Sequence, residues 1–116
     1  MEIKLRRANT TYVIDITGEM DLYNAFKLKD IVTVMIGKQI HEFVINLENV
    51  EYIDSSGIGD LLTVHSEVKK RGMALRFANV KGSVKRVIEL TKLYGYLPIC
   101  ADVNEAVAQI RATGQK

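Results

Sequence analysis

The residues best suited to chemistry stand together at positions 54–59, where an acid, two hydroxyls and two glycines occur within six residues. The stretch reads Asp54-Ser55-Ser56-Gly57-Ile58-Gly59. Residues of these types begin helices. The side chains of Asp and Ser accept hydrogen bonds from the N–H groups of the first turn, and Gly leaves those groups uncovered. A cap needs only one hydroxyl, so a second one is available at a helix N-terminus, where an anion is favoured. The stretch therefore predicts either a simple helix cap or a serine that carries a phosphate.

A serine hydrolase is the first enzyme class to consider, and it needs a histidine within hydrogen-bonding reach of the nucleophile. The chain has only His41 and His65. His65 lies about nine residues along the predicted helix, roughly 14 Å from the serines at 1.5 Å per residue. His41 precedes a predicted strand and falls at the opposite edge of the sheet, and the G-x-S-x-G motif is absent. The sequence therefore argues against a serine hydrolase.

Nucleotide-binding and metal-binding motifs are also incomplete. Gly57-Ile58-Gly59 follows a predicted strand and opens a helix, but Leu62 stands where a dinucleotide-binding loop has its third glycine. The pattern G-x-x-x-x-G-K-[ST] does not occur, and His and Cys do not cluster. We therefore expect no cofactor and no metal.

A phosphorylated aspartate is a competing interpretation of the same stretch. Asp54 follows a buried strand, and Glu19 and Asp21 follow another, so three carboxylates could form a Mg²⁺ pocket. The lysine that a receiver domain has after its last strand is missing, because Cys100 and Ala101 stand there. A receiver-like domain remains the weaker alternative.

The surrounding pattern alternates between strands and helices, which must position the 54–59 stretch. Alternating or β-branched runs predict strands at 1–7, 12–17, 42–47, 73–78 and 97–100. Apolar residues at helical spacing predict helices from 22 to Gly37, from 58 to Gly72, from Gly82 to Gly95, and from a capping box at Asp102 and Glu105 through Ile110. Asp21 is expected to cap the first of these helices.

This order predicts one α/β domain over 1–116, with a mixed, mostly parallel sheet of about five strands and four helices. The first strand is expected to be antiparallel, because its link to the second is too short for a crossover. In parallel units every strand-to-helix connection emerges at the carboxyl edge of the sheet. We therefore expect 19–21, 54–57 and 79–82 to share one edge.

Composition favours an ordinary globular protein. The 116 residues are 47% hydrophobic and 26% charged, and the net charge of +2 is too small to favour nucleic acid or an anionic membrane. The single cysteine, Cys100, cannot form an internal disulfide. No run resembles a signal peptide or a membrane span. We expect a cytoplasmic protein.

Three stretches together resemble a known family. The run 53–59 resembles the signature of the anti-sigma factor antagonists, which are bacterial members of the STAS domain family. Gly18-Glu19-Met20-Asp21 resembles that family's G-E-hydrophobic-D segment, and 83–88 followed by Leu93 resembles its third-helix pattern. Two positions depart from the pattern. Many members have proline at the Gly82-Ser83 position, and Asp60 is an acid where an apolar residue is common.

The resemblance implies a protein that is a substrate and a switch in a partner-switching pathway and that catalyses no reaction itself. Ser56 would be phosphorylated by an anti-sigma factor that is itself an ATP-binding serine kinase. The unphosphorylated protein would bind that kinase and release the sigma factor, and a metal-dependent serine phosphatase would restore binding. Asp21 matches the family acid near the serine, while Asp54 and Ser55 match positions that shape the loop. The expected partner-binding residues are Asp21, Asp54, Ser55, Gly57, Ile58 and Gly59.

A second alternative is a STAS-like interaction or scaffold subunit that is not phosphorylated. The small residues Ser55, Ser56, Gly57 and Gly59 would also let another protein's backbone approach the sheet edge without any phosphate. The sequence does not distinguish this alternative from the switch, nor does it identify a sigma factor.

Overall fold

The computed structural model describes residues 1–114 and contains a five-stranded sheet with four helices. The strands are β1 (Glu2–Ala8), β2 (Thr11–Met20), β3 (Glu42–Ile53), β4 (Ala74–Ala78) and β5 (Ile99–Cys100). The helices are α1 (Phe26–Gly37), α2 (Ser55–Lys70), α3 (Gly82–Leu90) and α4 (Val103–Gly114). The predicted α/β architecture is confirmed.

The strands lie side by side in chain order, β1-β2-β3-β4-β5. β1 pairs with β2 in the antiparallel sense, as expected from the short link at Asn9 and Thr10. The pairs β2–β3, β3–β4 and β4–β5 are parallel. The carboxyl ends of β2, β3 and β4 consequently point in one direction and carry the connections that the sequence singled out.

Two apolar cores cover the two faces of the sheet. Alternate residues along each central strand point to opposite faces, so Ile14, Ile45 and Phe77 enter the larger core with α1, α2 and α3. Their neighbours enter a smaller core beneath α4, whose members are Val13, Val44, Ala78, Cys100, Ala106 and Ile110. Burial raises the pKa of the Cys100 thiol, so this cysteine is a packing residue and a poor nucleophile.

β3 is six residues longer than predicted. Polar residues from Glu48 onward suggested that the strand ends at 47, but it continues to Ile53 beside the second half of β2. Between the pairs Asp15–Asn46 and Thr17–Asn49, β3 uses one more residue than β2. The same happens between the pairs Gly18–Val50 and Glu19–Tyr52. These two bulges break the period-two pattern, which explains why the sequence pattern missed the extension.

α1 begins four residues later than predicted, and Asp21 does not cap it. The helix starts at Phe26 behind Ala25, which makes no side-chain capping bond. Asp21 instead begins a separate turn. Its backbone carbonyl accepts hydrogen bonds from the N–H groups of Asn24 (3.2 Å) and Ala25 (2.9 Å). The Asn24 side-chain oxygen accepts a hydrogen bond from the Asp21 N–H. Such a bond between a side chain and the backbone competes with the backbone hydrogen bonds of a helix.

The remaining boundaries differ by smaller amounts. α3 ends at Leu90 instead of near Gly95, and β5 has two residues. The predicted capping box of α4 is confirmed: Asp102 Oδ1 accepts from the Glu105 N–H at 2.8 Å, and Glu105 Oε2 accepts from the Ala101 N–H at 3.0 Å. Within residues 1–114, no helix combines the length and apolar character that crossing a bilayer requires.

Candidate phosphorylation and partner-binding site

Asp54 connects the two loops of the candidate site. It is the N-cap of α2, and its Oδ1 accepts the Gly57 N–H at 3.0 Å. Its Oδ2 accepts the Leu22 N–H from the β2–α1 connection at 3.2 Å. The Asp54 N–H donates to the Met20 carbonyl at 3.1 Å, which continues the β2–β3 pairing. One carboxylate thus fixes the start of α2 relative to the connection that follows β2.

Both carboxylate oxygens of Asp54 accept backbone N–H groups, which is the arrangement of a structural cap. A receiver-type phosphoryl acceptor requires an accessible carboxylate beside a bound Mg²⁺. No group of three His, Cys, Asp or Glu side chains in the described part of the chain is placed to hold a metal. The geometry of Asp54 argues against the receiver interpretation.

The two serines occupy the first two positions of α2. Ser55 is exposed and Ser56 is half-buried, and neither hydroxyl makes a hydrogen bond with any residue in 1–114. Residues four apart share a helix face, so Ser56 lies above Asp60. Asp60 interacts electrostatically with Lys29 and Asp30 of α1. Ser56 is therefore on the side of α2 that faces α1 and the connection before it, while Ser55 faces solvent.

The two glycines differ in what surrounds them. A Cβ on Gly57 would lie 2.5 Å from Ile53 Cγ1 and 2.7 Å from the Met20 carbonyl oxygen. Gly57 is therefore required for α2 to approach the ends of β2 and β3. A Cβ on Gly59 would meet nothing within 4 Å. Packing among residues 1–114 therefore does not explain the glycine at position 59.

Asp21 stands at the edge of this site in the turn before α1. Its Oδ1 accepts the Tyr23 N–H at 3.0 Å, so its side chain shapes the turn. The third predicted connection reaches the same end of the sheet through Ser83, whose hydroxyl donates to the Glu51 carbonyl at 2.7 Å. Asp21 and Asp54 are thus brought to one end, as the topology predicted.

An exposed apolar patch beside the serines was missed by the sequence reasoning. Leu22 is 70% exposed, Tyr23 is 84% exposed and Phe26 is 55% exposed. The helical pattern placed Leu22 on the buried face of a helix, but the turn at 22–25 removes it from that face. Three large apolar side chains are thus exposed within five residues of the chain, beside the connection that Asp54 bonds. We call Leu22, Tyr23 and Phe26 the apolar patch.

Asp60 is a buried acid in the same helix. It is 9% exposed, and its Oδ2 has no hydrogen-bond partner among the described residues. Burial raises its pKa to about 6, although the Lys29 N–H and ammonium act in the opposite direction. Asp60, with this pKa of about 6, lies one helical turn from Ser56. The sequence marked Asp60 as a departure from the family pattern but gave no sign of its burial.

Comparison with known proteins identifies the family of this chain. The sequence profile of the STAS domain matches residues 2–106. An anti-sigma-B factor antagonist of Bacillus subtilis (strain 168) is 28% identical over 101 residues, covering 87% of this chain and 92% of that protein. Two solved structures share the fold. The anti-sigma factor antagonist SpoIIAA in its unphosphorylated form has a TM-score of 0.80 at 22% identity, covering 96% of this chain and 97% of that one.

The second is the Bacillus cell fate determinant SpoIIAA in its phosphorylated form, with a TM-score of 0.72 at 20% identity, covering 94% of this chain and 99% of that one. The profile match spans β1 to the start of α4, and it includes the serines and both connections that meet at Asp54. This chain belongs to the STAS domain family.

Proposed function

We propose that this protein is an anti-sigma factor antagonist that acts as a phosphorylation-controlled switch. In its unphosphorylated form it binds an anti-sigma factor, an ATP-binding serine kinase, and thereby frees the sigma factor. The kinase ends this binding by phosphorylating Ser56, and a metal-dependent serine phosphatase restores it. The protein is the substrate in both reactions and supplies no catalytic group.

The observation that carries the proposal is the position of Ser56 relative to the Asp54 bridge. Asp54 caps α2 by itself, so neither serine is needed for capping. The Ser56 hydroxyl makes no hydrogen bond within the described residues. It lies on the side of α2 that faces α1 and the β2–α1 connection, where the apolar patch begins. A hydroxyl in this position is available to a partner that docks on the patch.

Ser55 is the more exposed of the two serines, so exposure alone would favour it as the acceptor. Ser56 is favoured because it lies on the side of α2 that faces α1 and the β2–α1 connection. A kinase bound to the β2–α1 connection approaches α2 from the side on which Ser56 lies. The match of Ser56 to the second serine of the family signature supports the same choice.

The effect of phosphate on binding follows from its charge and size. A phosphoserine adds about −1.5 to −2 charges at neutral pH. At a helix N-terminus this charge is favourable to the helix, so we expect the fold to be retained. The phosphate would face Asp21 and a closely packed partner surface, where it repels and obstructs. A loss of about 4 kcal/mol would weaken binding roughly a thousandfold.

The proposal is tested by intact-mass measurement after incubation with a purified anti-sigma serine kinase of the same organism and ATP. We expect one phosphate on the wild-type protein and on Ser55→Ala, and none on Ser56→Ala. Ser56→Ala should still bind the kinase, whereas Ser56→Asp should bind poorly. Phosphate on Ser55 would contradict the site assignment. Kinase binding without any phosphate transfer would instead support the scaffold alternative, in which the apolar patch binds a partner permanently.

A further inference from the structure

A second concave surface lies at the other end of α2, away from the serines. It is a groove of about 410 Å³ between the second half of α2, the start of β4 and the segment 96–98 before β5. Its walls include the apolar side chains of Val68 and Leu97. This volume falls in the range of pockets that hold small organic ligands.

The groove adjoins an open edge of the sheet. β5 pairs with β4 only at Phe77 and Ala78, so the first three residues of β4 have no strand on that side. Leu75 and Arg76, which lie on this open edge, line the groove.

His65 is a buried polar side chain that lines this groove without a protein partner. It is 8% exposed, and its imidazole makes no hydrogen bond with any residue in 1–114. Its ring packs edge-on against Tyr96, with centroids 5.5 Å apart. Among the described residues only Asp60 Oδ2 is a buried side-chain atom without a partner, so the ring nitrogens of His65 reach solvent in the groove and are free to bond to a molecule bound there.

The charges around the groove are positive. Lys69 and Arg76 line it, no Asp or Glu does, and neither cation forms an ion pair within the described residues. Arg76 is held in place by bonds from its Nε to Gln109 (3.3 Å) and from its Nη1 to the Leu75 carbonyl (2.9 Å). Burial lowers the pKa of His65, and the Lys69 and Arg76 charges add to this effect. The imidazole is therefore neutral at pH 7, and the site lacks a negative charge.

We propose that this groove binds a small organic anion with an apolar body, such as an aromatic or branched carboxylate. The anionic group interacts with Lys69 and Arg76, His65 supplies a hydrogen bond, and the apolar body packs between Val68, Leu97 and Tyr96. His65 lies nine residues beyond Ser56 on α2, about 14 Å along the helix axis. The anion therefore occupies a surface separate from the proposed phosphorylation site.

The test is a titration of the full chain with phenylacetate, followed by NMR of the His65 ring and the backbone amides. We expect saturable shifts at His65 and along the start of β4, with a Kd below about 1 mM. Acetate, which lacks the apolar body, and phenylacetamide, which lacks the charge, should each bind at least about tenfold more weakly. Bound carboxylate should also raise the pKa of His65.

Variants identify the cations. Lys69→Gln and Arg76→Gln should each weaken phenylacetate binding about three- to fivefold, in line with partly exposed ion pairs. Lys70→Gln is the matched control, since Lys70 is the next residue of α2, is exposed and does not line the groove. Amide spectra of each variant verify the fold.

Three results would overturn the proposal. One is the absence of saturable shifts at His65. Another is equal binding of phenylacetate and phenylacetamide, which would make the groove an unselective apolar cleft. The third is binding of a short acidic peptide without binding of phenylacetate, which would make the open edge of β4 a docking site for a protein strand.

Discussion

Asp54 Oδ2 accepts a hydrogen bond from the Leu22 N–H at 3.2 Å, and this bond joins the start of α2 to the connection after β2. Leu22 belongs to the apolar patch, and Asp54 immediately precedes the two serines. The distance between patch and serines is consequently set by a side chain that also caps a helix. Under the proposed function, a kinase that docked on the patch and phosphorylated Ser56 would depend on this spacing.

Asp54→Ala should weaken both the helix start and partner binding. The lost cap at Gly57 costs about 1 kcal/mol of unfolding free energy. The lost bond to Leu22 lets the patch move relative to Ser56, so phosphorylation should slow and kinase affinity should fall. Urea denaturation measures the first effect, and kinase binding and phosphate transfer measure the second.

Asp102→Ala is the matched control for this change. Asp102 caps α4 through the Glu105 N–H at 2.8 Å and has no part in the candidate site. It should cost a similar amount of stability and leave binding unchanged. If both variants reduced binding equally, the loss would reflect stability alone and the bridging role of Asp54 would be wrong.

The two glycines of the 57–59 stretch should respond to alanine in opposite ways. Gly57→Ala places a methyl group against Ile53 and the Met20 carbonyl, and such overpacking costs about 1–3 kcal/mol. Gly59→Ala meets no atom within 4 Å and should stabilise α2 by up to about 1 kcal/mol. Thermal unfolding of both variants measures these effects.

Partner binding gives the second half of this test. If a partner's backbone approaches Gly59 closely, Gly59→Ala should be more stable than wild type and yet bind the kinase more weakly. A Gly59→Ala variant that binds normally would show that position 59 lies outside the interface.

The sequence predicted the architecture and the meeting of the β2–α1 and β3–α2 connections at one end of the sheet, because both follow from local patterns. Strand and helix periodicities give the element order, and parallel connections then bring Asp21 and Asp54 to one end of the sheet. The capping residues Asp102 and Glu105 are a local signal and were predicted correctly. The residue roles proposed for Ser56 and its neighbours stay predictions.

What the sequence could not give depends on contacts between distant segments. The extension of β3 is stabilised by the second half of β2 and is interrupted by two bulges, so its residues do not alternate. Leu22 has the spacing of a buried helical residue, but the turn opened by Asp21 exposes it. The unpaired Asp60 oxygen arises where α1 packs on α2, which no pattern within α2 reveals.

Leu22→Ser should weaken kinase binding by about tenfold or more without changing stability. An exposed apolar side chain at the centre of an interface contributes about 1–2 kcal/mol or more to binding, whereas its removal from a free surface changes folding by about 0.5 kcal/mol or less. The backbone bond to Asp54 is retained. Leu90→Ser is the control, because Leu90 is 76% exposed on α3, outside the apolar patch. Equal losses for both variants would contradict a docking role for the patch.

Asp60 should make stability depend on pH between about 4 and 6. Its pKa is raised by burial from 3.8 to about 6, so in this range the folded protein binds more protons than the unfolded chain. The contribution of Asp60 to stability therefore falls as pH rises through this window, by less than about 3 kcal/mol because solvent screens part of the effect, and it changes little above the window. Asp60→Asn removes the titration. The difference in unfolding free energy between wild type and Asp60→Asn should thus change by less than about 3 kcal/mol from pH 4 to pH 7.

Glu89→Gln, an exposed change on α3, controls for the altered net charge and should leave the pH slope as in wild type. A wild-type slope that persists in Asp60→Asn would show that another group titrates. Phosphate on Ser56 adds a further test, because a like charge one helical turn away disfavours ionised Asp60. The pKa of Asp60, followed by carboxyl NMR, should rise above about 6 in the phosphorylated protein. An unchanged value would place the phosphate away from Asp60 and argue for Ser55 as the acceptor.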